Sequence, residues 1–239
     1  MQGLTEVLPV SSSAHLALLP WLLRWPAPPH PTTLAAGLHG GSCAGVLLAL
    51  RADPPPVRTA ALALATAVPA AVAGLLAADA VEARLHRPAQ VGALLGLAGL
   101  ALAAADRRPE VRSVGPREAA LAALAQVAAL APGVSRSGAC LTALRAAGVH
   151  RREAERFALL MSLPVTAGAA GLTLLRADRS ALQALARPLA LGAPTAALAA
   201  RAGVLGLTAR GGLPLIVPAV YRLALAALVI RTARRRDRA

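Results

Sequence analysis

Apolar residues run along this chain in long uncharged blocks, and the charges fall mostly between the blocks. A helix needs about 17–25 apolar residues to cross a bilayer, and six blocks approach or reach that length. They are Thr33–Leu50, Thr59–Ala78, Pro88–Ala105, Phe157–Leu175, Leu182–Leu207 and Leu213–Ile230. The first three end in charged or proline-rich turns: Arg51 to Pro56, Asp79 to Arg84, and Asp106 to Pro109. Pro164 falls inside the fourth block and predicts a kink there. Arg187 and Arg201 blur the ends of the fifth.

Two stretches break the pattern. Glu118–Leu130 is too short to cross and runs into Pro132-Gly133-Val134-Ser135-Arg136-Ser137-Gly138. The chain also opens on Gln2-Gly3-Leu4-Thr5-Glu6-Val7-Leu8-Pro9-Val10, followed by Ser11-Ser12-Ser13-Ala14-His15. In each, a proline stops one helix and serines offer N-cap oxygens to another, predicting helices over Ala14–Leu23 and Gly138–Ala147. Both are too short to span, so each predicts a re-entrant helix–loop–helix element. Irregular backbone at membrane depth survives only where protein buries it or where it lines a wet cavity.

The two breaks align. Val10–Ala14 lies on Val134–Gly138, Gln2 falls on Gln126, and Ala44–Arg51 resembles Ala169–Arg176 at nearly the same offset. The predicted fold is all-α: one integral membrane domain over 1–239, with about six transmembrane helices and two re-entrant elements. The elements form an inverted repeat of halves about 1–110 and 111–239. Such repeats bring the positive ends of discontinuous helices around a shared midplane site.

Composition fits that reading. Of the 239 residues, 56% are hydrophobic but only 2% are aromatic, so Ala, Leu and Val dominate. Small residues fill a soluble core poorly but let membrane helices approach closely. All basic residues are arginine, and the net charge is +14. The arginines lie mostly between apolar blocks and in the tail Arg231, Arg234, Arg235, Arg236 and Arg238, not on one face, which argues against a nucleic-acid partner. The tail suits a stop-transfer flank beside anionic lipid headgroups. Cys43 and Cys140 sit in apolar stretches with no paired motif, so neither a disulfide nor a metal pair is expected.

The polar groups inside the apolar segments carry the chemistry. Glu6 and Arg136 stand far from any charged run, and ionisable groups in lipid need a partner or a cavity. Arg136 offers a planar fork of donors suited to phosphate. Ser11, Ser13, Ser135, Ser137 and the backbone beside Gly133 would complete a cradle. Glu6 can hold a divalent cation or take a proton. Ser12 and His15, three apart, share a helix face, and a serine beside a base is the usual activated hydroxyl. The set reads as phosphoryl transfer under an electrostatic clamp.

Gln2–Leu16 and Pro132–Gly138 resemble the two signatures of the undecaprenyl-diphosphate phosphatase family, the bacitracin-resistance proteins. Leu38-His39-Gly40-Gly41 and Glu153–Pro164 resemble further family segments, and the likeness covers nearly the whole chain. It implies a multi-pass enzyme of the bacterial plasma membrane, its site facing outward. The enzyme would remove the terminal phosphate of the C55 polyprenyl diphosphate, giving undecaprenyl phosphate for cell-wall carrier recycling. The resemblance makes Ser12 the nucleophile, His15 the catalytic histidine and Arg136 the phosphate-binding arginine. Ser135 and Ser137 become hydroxyl donors, and Gln2 and Glu6 the Glu/Gln-x-x-x-Glu pair that would serve Mg²⁺ or Ca²⁺. Cys140 stands where the family has threonine. Met1 abuts a motif that relatives precede with an apolar helix, so either the start codon is misassigned or the helix carrying Glu6 is weakly anchored. Expected partners are the lipid diphosphate and membrane lipids, with a homodimer left open. The rival class is a polyprenyl-phosphate flippase using the same cavity.

Overall fold

The structure, a computed structural model, describes residues 1–237, apart from the side chain of Glu82; Arg238 of the arginine tail lies outside them. Among the described residues there are eleven helices and no strand. Six stretches are long and apolar enough to cross a membrane, and they are the six expected blocks, slightly extended. They are α3 (Pro31–Leu50), α4–α5 (Val57–Ala65 and Ala67–Arg84), α6 (Pro88–Ala105), α9 (Arg151–Arg176), α10 (Arg179–Ala209) and α11 (Ile216–Arg236). The short elements also fall where expected: α1 (Gln2–Val7) and α2 (Ser12–Leu23), then α7 (Pro116–Ala128) and α8 (Arg136–Ala146).

One feature departs from the apolar pattern. The block expected to be a single helix breaks at Thr66, between α4 and α5. Pro69 explains it: its ring conflicts with the carbonyl four residues back, at Ala65. Beside the break, Thr66 Oγ1 donates to the Ala63 carbonyl (2.6 Å) and Gln126 Nε2 donates to that of Thr66 (3.1 Å). Gln126 therefore bonds at a break in another helix, although it aligns with Gln2. Helix α9 runs on without interruption through Pro164.

Small residues set the helix spacing. Along α3, Gly37, Gly41 and Gly45 recur every fourth residue and face Leu189, Ala193 and Ala197 of α10; a Cβ on Gly41 or Gly45 would strike a carbonyl of α10. This is the small-xxx-small packing that brings membrane helices together. Helix α1 uses the same device, with Gly3 against the Ala196 carbonyl, and five of its six residues are buried. The expectation of a weakly anchored α1 is thus corrected: it is short, but wedged against α10 and α3.

One end of the bundle is closed by charge. Asp106, capping α6, accepts from Arg145 Nε (3.3 Å) and Arg151 Nη2 (3.0 Å), and its other oxygen accepts the Leu215 amide (3.3 Å). Arg156 of α9 pairs with Asp53, just past the end of α3, and Glu155 accepts the Leu213 amide (2.9 Å). The C-terminal ends of α3, α6 and α8 and the N-terminal ends of α9 and α11 therefore share this face. At the far end of α11, Arg236 lies 4.3 Å over the Trp21 ring and donates to the Trp21 carbonyl (3.0 Å).

Candidate active site

The two helix starts are built alike. Ser11 and Ser135 are the N-caps of α2 and α8, with φ of 72° and 70°, a region non-glycine residues seldom occupy. Each side chain accepts the amide three residues on, Ala14 (3.3 Å) and Gly138 (3.2 Å). Each also sits 3.3 Å from the next serine but one, Ser13 and Ser137. Backbone strain of this kind persists where the surroundings enforce it and often marks a working site. Among the described residues, the amides of Ser11, Ser12, Ser13, Ser135, Arg136 and Ser137 find no acceptor, and all six residues line one cavity of about 340 Å³. Free amides at helix N-termini, with the dipole behind them, form an anion site.

Glu6, buried on α1, is the hub on the cavity wall. Its Oε1 pairs with Arg136 Nη2. Its Oε2 accepts from Ser12 Oγ (3.0 Å) and Gln2 Nε2 (3.0 Å) and lies 2.9 Å from His39 Nδ1. Arg136 is held in turn by the Ser162 carbonyl (3.0 Å) and the Thr166 hydroxyl of α9. Two buried atoms of this cluster have no partner, Gln2 Oε1 and Arg136 Nε. Buried polar groups are rarely left so, and these two supply one acceptor and one donor beside the cavity.

The structure brings Glu6, Ser12 and Arg136 together, with Ser11, Ser13, Ser135 and Ser137 around the same cavity. Gln2 bonds Glu6 from off the cavity wall, and two further expected residues lie elsewhere. His15 shares its helix face with other groups: Nδ1 bonds the Ser11 carbonyl (2.7 Å), and Nε2 meets the Tyr221 hydroxyl (2.6 Å). Since a carbonyl can only accept, Nδ1 carries the proton and Nε2 accepts from Tyr221. His15 therefore does not touch Ser12. Gly133 also stays off the cavity wall; its φ is 98°, and a Cβ there would come within 2.5 Å of the Val91 carbonyl. It shapes the break and does not bind in the cavity. Thr142, two residues beyond Cys140, donates back to the Gly138 carbonyl (2.8 Å) and offers nothing to the cavity.

The histidine that does meet Glu6 is His39, from the Leu-His-Gly-Gly segment. Its motif was visible, but nothing local tied it to Glu6. Thr166 gave a fainter signal, a hydroxyl two residues past Pro164 within an apolar helix. Arg222 of α11 is a charge inside an apolar block, but nothing local names its partners, and Tyr221 gave no signal, since its partner His15 lies at the other end of the chain.

Six apolar crossing stretches around a Glu6–Arg136 ion pair, set at two helix starts that line one cavity, define a polytopic α-helical membrane protein with a polar centre. Across residues 1–228 the chain matches the model of the family described as bacitracin resistance protein BacA, and it belongs to that family. Among its relatives, undecaprenyl-diphosphatase of Geobacter metallireducens is 40% identical, over 71% of each chain. That of Geobacter sulfurreducens is 39% identical, over 85% of this chain and 84% of its own. Undecaprenyl-diphosphatase 1 of Rhodospirillum rubrum is 36% identical, over 98% and 92%.

Proposed function

We propose that this chain is an undecaprenyl-diphosphate phosphatase of the bacterial plasma membrane, its cavity facing outward, which returns the lipid carrier to cell-wall synthesis and so confers bacitracin resistance. The observation that carries the reading is the Ser12 hydroxyl, 3.0 Å from Glu6 Oε2, at the mouth of two helix N-termini whose amides are free. In this reading α1–α2 and α7–α8 are the re-entrant halves of an inverted repeat, and the diphosphate lies between them. The relatives' names favour hydrolysis over transport.

Arg136 exchanges its bond to Glu6 for the terminal phosphate, joined by the serine hydroxyls and the free amides. Glu6 then loses a counter-charge that favoured its ionised form and is readier to accept a proton. Ser12 Oγ attacks the terminal phosphorus as its proton passes to Glu6; the bond from phosphorus to the bridging oxygen breaks, and that oxygen takes the proton from Glu6 as undecaprenyl phosphate leaves. Water, giving a proton to Glu6, next attacks the phosphoserine; the Ser12 oxygen leaves, takes that proton, and inorganic phosphate is released.

The donor set suits a hard divalent cation in part. Glu6 supplies a carboxylate and Gln2 Oε1 an unpartnered buried oxygen; among the described residues no three His, Cys, Asp or Glu gather to hold a metal alone. Mg²⁺ commonly binds one or two protein oxygens plus substrate phosphates, so Gln2 and Glu6 would hold it with the diphosphate. When bound it would neutralise phosphate charge in the transition state. The test is phosphate release from C15 and C55 prenyl diphosphates by the detergent-purified protein, with and without Mg²⁺ or Ca²⁺. Release abolished in Glu6→Ala supports the reading. A wild-type protein that releases none while moving the lipid between leaflets of a vesicle overturns it in favour of a flippase.

A further inference from the structure

The Arg222 side chain on α11 is fully enclosed. Every hydrogen bond it makes goes to a backbone carbonyl. Nε donates to Leu95 of α6 (3.2 Å), Nη1 to Pro9 (3.3 Å), and Nη2 to Gly133 (3.2 Å) and Val134 (2.7 Å). Pro9 belongs to the first helix break, Gly133 and Val134 to the second. Burying a charge without a counter-ion is costly, and an apolar residue would fill this space without that penalty. The surroundings are shaped for the guanidinium: a Cβ on Gly99 would come within 3.2 Å of the Arg222 Cβ, and one on Gly138 would strike Nη1.

The direction of these carbonyls matters to the cavity. Among the described residues no peptide bond is cis, and in a trans peptide the N–H points opposite to the C=O. Fastening the Val134 carbonyl to Arg222 therefore turns the Ser135 N–H to the other side. Ser135 lines the cavity, its amide is free, and its φ of 70° is one that serine does not adopt unaided. A cation on the carbonyl side also polarises the peptide and strengthens its N–H as a donor. The Pro9 carbonyl, held by the same guanidinium, fixes where α2 begins relative to α8.

We propose that Arg222 is a positioning residue, which grips the carbonyls of both helix breaks from behind and so aims the Ser135 amide at the phosphate and keeps the two anion-binding helix starts in register. The proposal rests on the hydrolase reading above. It is tested with Arg222→Lys, which keeps the charge but cannot reach four carbonyls, and with Gly138→Ala, which displaces the guanidinium without removing it. Misaimed transition-state donors cost about a hundredfold in turnover. The expected result for folded protein is thus kcat on C15 diphosphate lower by roughly that factor, with KM within about threefold, and inhibition by orthovanadate weakened in step with kcat. A merely structural residue would lower the melting temperature and the yield and leave kcat per folded molecule and vanadate inhibition unchanged. That outcome, or failure of both variants to fold at all, overturns the proposal. If wild-type protein hydrolyses no diphosphate, the hydrolase reading fails by itself. Orthovanadate binding measured by calorimetry then decides the inference, which stands if Arg222→Lys binds it much more weakly than wild type and falls if the two match.

Discussion

Residue by residue, the proposed reaction separates groups that would meet phosphate from groups that hold them. Ser12 and Arg136 both touch Glu6, one on each oxygen, so they should fail in different ways. Ser12→Ala removes the nucleophile and should lower kcat at least about a thousandfold, with no radioactive phosphate trapped on the protein from labelled substrate; full activity would rule out the covalent route. Arg136→Lys keeps the charge but loses the fork that reaches the Ser162 carbonyl, Thr166 and Glu6 together, and should cost on the order of a hundredfold in kcat/KM. The histidines give a sharper comparison. His39→Ala strips a charge-assisted contact from Glu6, a loss of about 1.5–3 kcal/mol, or roughly ten- to a hundredfold. Tyr221→Phe takes only the outer partner of His15, about 1 kcal/mol and under tenfold. Steady-state kinetics on both variants checks the order. The serine caps, the carboxylate and the arginine were legible in the sequence because each is a polar group stranded in apolar sequence. The choice of histidine was not: three-residue spacing puts Ser12 and His15 on one face without saying where that face points, and Tyr221 decides it from the other end of the chain.

Helices are where the sequence was read most easily and where the packing is most exposed to a single change. A crossing helix must be apolar over most of its length, so the uncharged block Thr33–Leu50 already marks α3, and charged turns mark its neighbours. The break at Thr66 escaped because Pro69 sits within an apolar run that is long enough to cross, and hydropathy does not register a missing N–H. Nothing in the sequence marks the glycines of α3 as an interface, because their partners on α10 lie far along the chain. Gly45→Val tests that interface. Its side chain would occupy the position of the Ala197 carbonyl, and overpacking of this kind costs about 1–3 kcal/mol. Thermal unfolding in detergent should show a lowered midpoint for Gly45→Val. A valine at Gly168 or Gly206, where a Cβ meets nothing within 4 Å, should leave the midpoint unchanged.

At the scale of the whole molecule the two ends differ. The Asp106 cluster ties α6, α8, α9 and the start of α11 at one end. The cavity lies toward the other, lined by Thr32, Ala35 and Ala36 near the start of α3 and by Thr173 one turn from the end of α9. Arginines flank the helices at both ends, so the bias of positive charge toward the cytoplasm does not orient the chain. The proposed hydrolysis predicts an outward site: a diphosphate carrier spent on an external polymer would be met by a cavity open on that face. Orientation is measurable with cysteines. Both native thiols are buried, and replacing them with alanine leaves a clean background. Thr173→Cys, at the cavity mouth, should then react with a membrane-impermeant maleimide in intact cells. Asp53→Cys, beside Arg156 at the charged end, should react only after the membrane is opened. The reverse pattern would place the cavity on the cytoplasmic side, where the enzyme would meet newly made carrier instead of carrier being recycled.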